Sequence, residues 1–384
     1  MKENFQSGIN IIEKLEKNGH EAYFVGGSVR DYLIGRPIHD IDIATSATAD
    51  QVLRIFSSVI PLGKEHGTVI VKFNEETFEV TSYRSSNFSA SEKITIEEDL
   101  YHRDFTMNAI AMDKDFRLID PIEGHRDIEQ QLICSVGDSV KRFTEDPLRL
   151  LRGIRFVAEL GFSLHSETKV TTTELSYLLN SVAIERVVTE FEKMMAGSYV
   201  TKGLLLLKET GLHKYIPFLH VEGLEWLSNL DSSVFSNEEE FWTLLTYLFA
   251  KDNWKEYLTI IKKSNKLQKK VGEMLPLLIM TNKWSDYDLY QHGIKTIQSV
   301  EKIKSQLGLG EPSVDLISRY DQLPIKNRSE LVINGNDLQK EFQRVPGKWI
   351  EDSIQFIELA VISNKISNNR SEILQLLKVR GDVN

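Results

Sequence analysis

One cysteine, Cys134, occurs in 384 residues. That excludes an intramolecular disulfide and any zinc site built on thiolates. Proline is scarce, nine in all, and no proline-rich or low-complexity linker is present. No apolar run approaches the length that spans a bilayer. The first residues, MKENFQSGIN, lack the apolar core and cleavage pattern of a secretory signal, so the expected compartment is the cytoplasm. Positive charge is also in deficit: 46 Lys and Arg against 56 Asp and Glu give a net charge of −10. Such a balance argues against a sequence-independent nucleic-acid coat but leaves room for local basic tracks. What remains, 41% apolar and 27% charged, is ordinary for a globular protein. The length calls for about two to four domains.

Hydrophobic periodicity changes character after about residue 135. Before it, helix-like and strand-like stretches alternate: helices over Phe5–Asn18, Ser28–Leu33 and Arg103–Met112, strands over Ala22–Val25, Asp40–Ala44, His66–Phe73, Thr77–Tyr83 and Arg117–Asp120. The mixture predicts an α/β or α+β domain with one open sheet. After Thr144 strand signals fade and amphipathic helical patterns follow, among them Pro147–Leu160, Ile184–Ala196, Glu238–Ala250 and Gly347–Ser363. The expected fold is therefore α/β plus all-α.

FVGGSVRDYLIGRPIHDIDIAT, Phe24 to Thr45, places two aspartates in an apolar run. On a strand, Asp40 and Asp42 share a face about 6.5 Å apart, while Ile41 and Ile43 anchor the other. Two such carboxylates repel unless cations lie between them, and two divalent ions roughly 3.5–4 Å apart fit the spacing. With oxygen donors alone, magnesium is preferred to zinc. Gly26 and Gly27, just before a helical start, let the backbone approach a phosphate, and Arg30 lies one turn on. Asp31 braces Arg30 or caps the turn. A lone Gly-Gly is more often a plain turn; its order with Arg30 and the Asp-x-Asp strand favours phosphate and metal. Glu79, between apolar strand neighbours, reads as a third metal-associated acid, a brace, or an exposed strand residue. His39-Asp40 has no second His-Asp pair to form a phosphohydrolase centre.

With these residues in place, the chain resembles the nucleotidyltransferase superfamily, whose polymerase-β-like palm carries hGG…DhD. It is most similar to the class II tRNA nucleotidyltransferases and bacterial poly(A) polymerases, and closest to the bacterial CCA-adding group. GKEHGTVIVKF, FEVTSYR, RDFTMNAIAMD, IDPIEGHRDI, EDPLRLLRGIRF and ERVVTEFEKMM match in order. The resemblance implies a nucleotidyltransferase head (1–137), a neck bearing a nucleobase template (138–212), a body (213–320) and a tRNA-binding tail (321–384). It implies CTP, ATP and the acceptor stem and elbow of tRNA as partners, with two Mg²⁺ ions as cofactors.

The same resemblance assigns roles. Arg103, Asp104 and Asn108 face the sugar and phosphates; Asp104 and Asn108, four apart, share a face if the segment is helical. His102 stands where the family usually has a second arginine. Arg149, Arg152 and Arg155 form one stripe of a helix whose other arc holds Leu150, Leu151, Ile154 and Val157. Thr144 is expected to cap that helix. Asp146 and Arg149 are the implied template, an acceptor and a donor that suit cytosine and adenine. Arg152 and Arg155 help hold the nucleotide, and Glu185, Arg186 and Glu190 brace the helix. A solvated arginine face is the bland alternative for such a stripe alone. Asp120 and Gly124 form a hinge or a simple turn.

In the tail, Lys326, Arg328, Lys340, Arg344, Lys348, Lys365 and Arg370 offer a place for the tRNA elbow, or an ordinary charged surface. The stretch Arg84–Leu100 is shorter than the loop that enzymes adding all three nucleotides usually carry. Addition of C, C and A is the first reading; a CC-only enzyme, a poly(A) polymerase and a non-catalytic RNA-binding protein are the alternatives.

Overall fold

The computed structural model describes residues 2–38, 40–61, 67–83, 94–217, 219–230, 237–310 and 312–380. The chain forms two units, one from 1–233 with 260–262 and the other from 234–259 with 263–384.

The first unit begins with helix α1 (Gln6–Lys17), strand β1 (Ala22–Val25), helix α2 (Gly27–Ile34), strand β2 (Asp42–Thr45) and helix α3 (Ala49–Ile55). Strands β3 (Val59–Pro61), β4 (Thr68–Phe73) and β5 (Glu76–Ser82) follow, then helix α4 (Ile96–Tyr101), strands β6 (Ala111–Met112) and β7 (Leu118–Ile119) and helix α5 (Gly124–Glu129). These seven strands make one mixed sheet in the order β3-β4-β5-β2-β1-β6-β7. Its interior strand β2 pairs antiparallel with β1 and parallel with β5. Parallel neighbours need a crossover, which α3 and the β3–β4 hairpin supply. Gly8 lets α1 lie against β1, because a Cβ there would fall 2.6 Å from the Phe24 ring. Val25, Ala44 and Ala111 of the sheet pack with Ile96 and Leu100 of α4.

Strand β8 (Leu132–Ile133) and helices α6 (Ser139–Glu145) and α7 (Leu148–Leu160) lead out of the sheet; β9 (Ser163–Leu164) pairs parallel with β8. Helices α8 (Ser166–Glu174), α9 (Ile184–Met195), α10 (Val200–Glu209) and α11 (Val221–Ser228) complete the unit. Asp138 caps α6 by accepting from the amides of Val140 and Lys141. The second unit is helical throughout its described residues: α12 (Glu238–Ala250), α13 (Trp254–Ile260), α14 (Asn265–Leu278), α15 (Asp286–His292), α16 (Ile294–Gln306), α17 (Leu316–Asp321), α18 (Gly335–Phe342), α19 (Lys348–Ile362) and α20 (Arg370–Arg380). The expected division between a mixed sheet and a helical remainder holds.

Four local expectations need correction. The second strand starts at Asp42, so Asp40 lies before it and is exposed. Arg103–Met112 is not a helix: Thr106–Asn108 forms a 3₁₀ turn and Ala111–Met112 joins the sheet. Thr144 does not cap α7, for it lies inside α6 and its hydroxyl donates to the Val140 carbonyl at 2.7 Å. Within Arg84–Leu100, Arg84–Lys93 lie outside the described residues, and Ile96–Leu100 belong to α4, begun by a Thr95–Glu98 capping box.

Candidate active site

Gly26 sits between β1 and α2 with φ +71 and ψ −138, a combination open to glycine and costly for other residues. A Cβ there would lie 3.2 Å from Asp42 Oδ2 and 3.4 Å from Arg103 Nη1. The glycine thus makes room where a carboxylate and a guanidinium converge beside the start of α2.

Asp42 opens β2 in register with Val25 on one side and Glu79 on the other. Burial raises its pKa to about 6; the charge of Glu79 adds to the rise and Asp40 adds less, while Arg103 and Arg30 oppose it. Glu79 therefore acts on Asp42 through the strand pairing. Ile41 and Ile43 are buried as expected. No group of three or more His, Cys, Asp or Glu positioned to hold a metal occurs among the described residues.

Arg103 is fixed by Asp99, whose Oδ2 accepts from Nε at 3.2 Å and Nη2 at 2.9 Å. Asp104 lies one residue on. Its Oδ1 accepts from the Phe105 amide at 2.8 Å and from Asn108 Nδ2 at 3.3 Å, so the turn brings Asp104 and Asn108 together without a helix. Its Oδ2 accepts from Arg152 Nε and Nη2 at 2.9 and 2.7 Å. Burial alone would raise this carboxyl, but the guanidinium and the hydrogen bonds outweigh it and hold the group well below the usual carboxylate range.

The arginines of α7 are not a solvated stripe. Leu150, Leu151, Ile154 and Val157 are buried on one arc. On the other, Arg152 Nη1 donates to Glu190 Oε1 of α9 at 3.2 Å. Arg155 Nε lies 2.9 Å from Glu190 Oε2 as an ion pair without hydrogen-bond direction. Glu190 is 4% exposed, so two guanidinium groups compensate its buried charge; of the expected brace residues Glu185, Arg186 and Glu190, it is the one that pairs with the arginines of α7. Arg149 is pinned by carbonyls, with Nη1 donating to Arg142 at 3.4 Å and Nη2 to His102 at 3.2 Å. Burial lowers the pKa of the His102 ring, and Arg142 lowers it further. Asp146 accepts from the Leu148 amide at 3.3 Å, which makes it the cap Thr144 was expected to be, and from Arg186 Nη2 at 3.0 Å.

Arg30 is 4% exposed. Asp31 Oδ1 accepts from its Nε and Nη2 at 3.0 and 2.9 Å, the bracing role expected of that residue. Nη1 donates to Asn108 Oδ1 at 2.9 Å and Nη2 to Glu159 Oε1 at 3.3 Å. The rings and charges that sequence reasoning missed are here. Phe156 lies under three guanidinium groups, those of Arg30, Arg152 and Arg155, at 5.2, 5.5 and 3.6 Å from its centroid. Glu159 accepts from both Arg30 and Arg155. The i, i+4 spacing of Arg155 and Glu159 was the only available signal. Asp120 binds the amides of Gly124 and His125 at 2.8 and 3.0 Å and so forms a helix-starting turn at α5.

The chain matches three family profiles in succession: the Poly A polymerase head domain over residues 22–134, the RNA and SrmB-binding site of polymerase A over 161–222, and tRNA nucleotidyltransferase domain 2 over 234–377. It is 39% identical to the CCA-adding enzyme of Geobacillus sp. strain WCH70, over 98% of this chain and 97% of that one. With the CCA-adding enzyme of Bacillus cereus strain G9842 the identity is 40%, over 98% of each. Among solved structures, the Bacillus stearothermophilus CCA-adding enzyme in complex with CTP superposes with a TM-score of 0.91 at 36% identity, covering 99% of this chain and 98% of that one.

Proposed function

The chain belongs to the CCA-adding enzymes of the tRNA nucleotidyltransferase family, and from that premise we propose that it adds C, C and A to the 3′ end of tRNA from CTP and ATP, releasing pyrophosphate. The observation that carries the reading is the convergence of Asp42, Arg103 and the glycine turn at one point beside α2.

The tRNA 3′-hydroxyl attacks the α-phosphorus, and pyrophosphate leaves from the opposite side. Asp42 lies at this centre, and Asp40, just ahead of the strand, is assigned to it as the second carboxylate. The donor set fits magnesium, which commonly takes one or two carboxylates and completes its shell with water and substrate phosphate, and Asp42, raised first by burial and then by Glu79, would be stabilised in its charged form by a cation. Asp40 and Asp42 would hold the divalent metal, which when bound would supply the positive charge that polarises the attacking hydroxyl and neutralises the triphosphate. The amides at Gly26 and Gly27 and the start of α2 meet the phosphates, aided by Arg103 and by Arg30 behind them. Asp104, oriented by Arg152 and Asn108, offers its remaining lone pairs to the ribose 2′-hydroxyl. Asp146 accepts from the exocyclic amino group of cytosine or adenine, and Arg149 donates to the ring nitrogen and carbonyl. Arg152 and Arg155 hold the template helix against these groups. Residues 1–137, 138–212, 213–320 and 321–384 serve as head, neck, body and tail, with the tail meeting the tRNA elbow by shape and phosphates. Among the described residues no helix is long and apolar enough to cross a membrane.

The test is stepwise extension of tRNA lacking its 3′ end, with CTP, ATP and Mg²⁺. Complete C, C, A addition is expected, and a product that halts at CC rejects the terminal step. Asp42→Ala abolishes incorporation while tRNA still binds in a filter assay; unaltered incorporation overturns the assignment of the carboxylates.

A further inference from the structure

Starting at Arg30, hydrogen bonds run to Asn108, on to Asp104 and then to Arg152. From Arg152 a hydrogen bond reaches Glu190, an ion pair links Glu190 to Arg155, and Glu159 joins Arg155 back to Arg30 by hydrogen bonds. The circuit is closed, and three of its guanidinium groups lie over the Phe156 ring. Glu159 is the link that neither the sequence pattern nor the reaction scheme uses. Its two oxygens are divided between two elements, Oε1 accepting from Arg30 of α2 and Oε2 from Arg155 of its own helix. Both guanidinium groups are nearly inaccessible, 4% and 10% exposed in their side chains. Among the described residues Glu159 is the hydrogen-bond acceptor that Arg155 finds, since the approach to Glu190 lacks hydrogen-bond direction. A carboxylate serving only the helix would bridge its i, i+4 partner and face water. This one reaches the helix that starts at the phosphate-facing glycines.

We propose that Glu159 is a positioning residue: it fixes Arg30 and Arg155 to each other, and so sets the phosphate-facing start of α2 relative to the template face of α7. The inference rests on the CCA-adding reading above. It concerns nucleotide geometry and leaves tRNA contacts untouched.

Glu159→Gln keeps the shape, removes the charge and turns one acceptor into a donor facing a guanidinium. In steady-state extension, the KM for CTP and for ATP rises about tenfold, the loss of one charge-assisted hydrogen bond. The KM for tRNA stays unchanged, and melting without nucleotide shifts by less than about 4 °C. Combined with Arg30→Lys, the rise is smaller than the product of the single effects, because both act through one contact. Should Glu159→Gln not fold, Glu159→Asp, which keeps the charge but is too short to span both arginines, shows a smaller rise of the same kind. A nucleotide KM within twofold of wild type in the folded variant overturns the proposal. So does a rise in nucleotide and tRNA KM together with a fall in melting temperature. A wild-type protein that extends no tRNA instead sinks the functional reading beneath it.

Discussion

Burial acts on Asp42 and Asp104 alike, but their partners pull them apart. Asp42 has Glu79 beside it on the adjacent strand and rises to about 6, whereas Asp104 is gripped by Arg152 and falls well below the ordinary range. The signs of their effects on stability are opposite. The raised group favours the fold fully below its unfolded value of 3.8 and loses that contribution as pH climbs through about 6. Metal-free Asp42→Asn is therefore expected to melt higher than wild type at pH 7.5 by about 2 kcal/mol of stability, with the gain gone at pH 4; thermal melts with a chelator at the two pH values check this. The depressed group contributes above its unfolded value of 3.8 and loses the contribution only as pH falls through its folded pKa. Arg152→Ala strips the buried Asp104 of its counter-charge and costs about 3–5 kcal/mol at neutral pH, measured by urea unfolding. Arg186→Ala differs, because its pair with Asp146 is 53% and 32% exposed. Such a pair contributes at most about 1 kcal/mol, so the variant keeps its stability while its discrimination between CTP and UTP weakens in single-nucleotide extension.

The turn from β1 into α2 depends on a backbone conformation that a side chain resists. Gly26→Ala is expected to cost about 1–3 kcal/mol and to raise nucleotide KM, because its methyl group presses on Asp42 and Arg103; unfolding and kinetics together separate the two effects. At the level of elements the sequence was legible wherever one period held over enough residues. The strand Ala22–Val25 and the helix Glu238–Ala250 fall at the bounds their patterns predict. Arg103–Met112 misled because its apolar residues are buried from several sides at once, in a turn and a two-residue strand, which mimics a helical period. Val59–Pro61 escaped because a proline argues against a strand, and an edge strand tolerates one. The site followed the same logic. Asp42, Arg103 and the arginines of α7 stand out by their identity and spacing. Glu159 and Phe156 take their meaning from Arg30, more than a hundred residues away, and no local pattern records that.

The seven basic residues singled out in the last part of the chain separate once folded. Arg328 is paired with Glu351 and Glu358, and Arg370 with Asp337. Lys340, Lys348 and Lys365 are exposed. For an RNA ligand on a protein of net charge −10, these exposed lysines are available to replace counterions. Lys348→Ala and Lys365→Ala are each expected to reduce the slope of log affinity against log salt by about one, read from filter binding of tRNA at several salt concentrations. Arg328→Ala should instead lower stability and leave the slope alone. The closed circuit about Phe156 also bears on how the protein is made. Its members are drawn from Arg30 through Glu190, so synthesis must pass Glu190 before the last of them leaves the ribosome. A nascent chain that has folded its sheet still lacks the acid that holds Arg152 and Arg155. Translation order thus delays closure of the circuit until α9 has emerged.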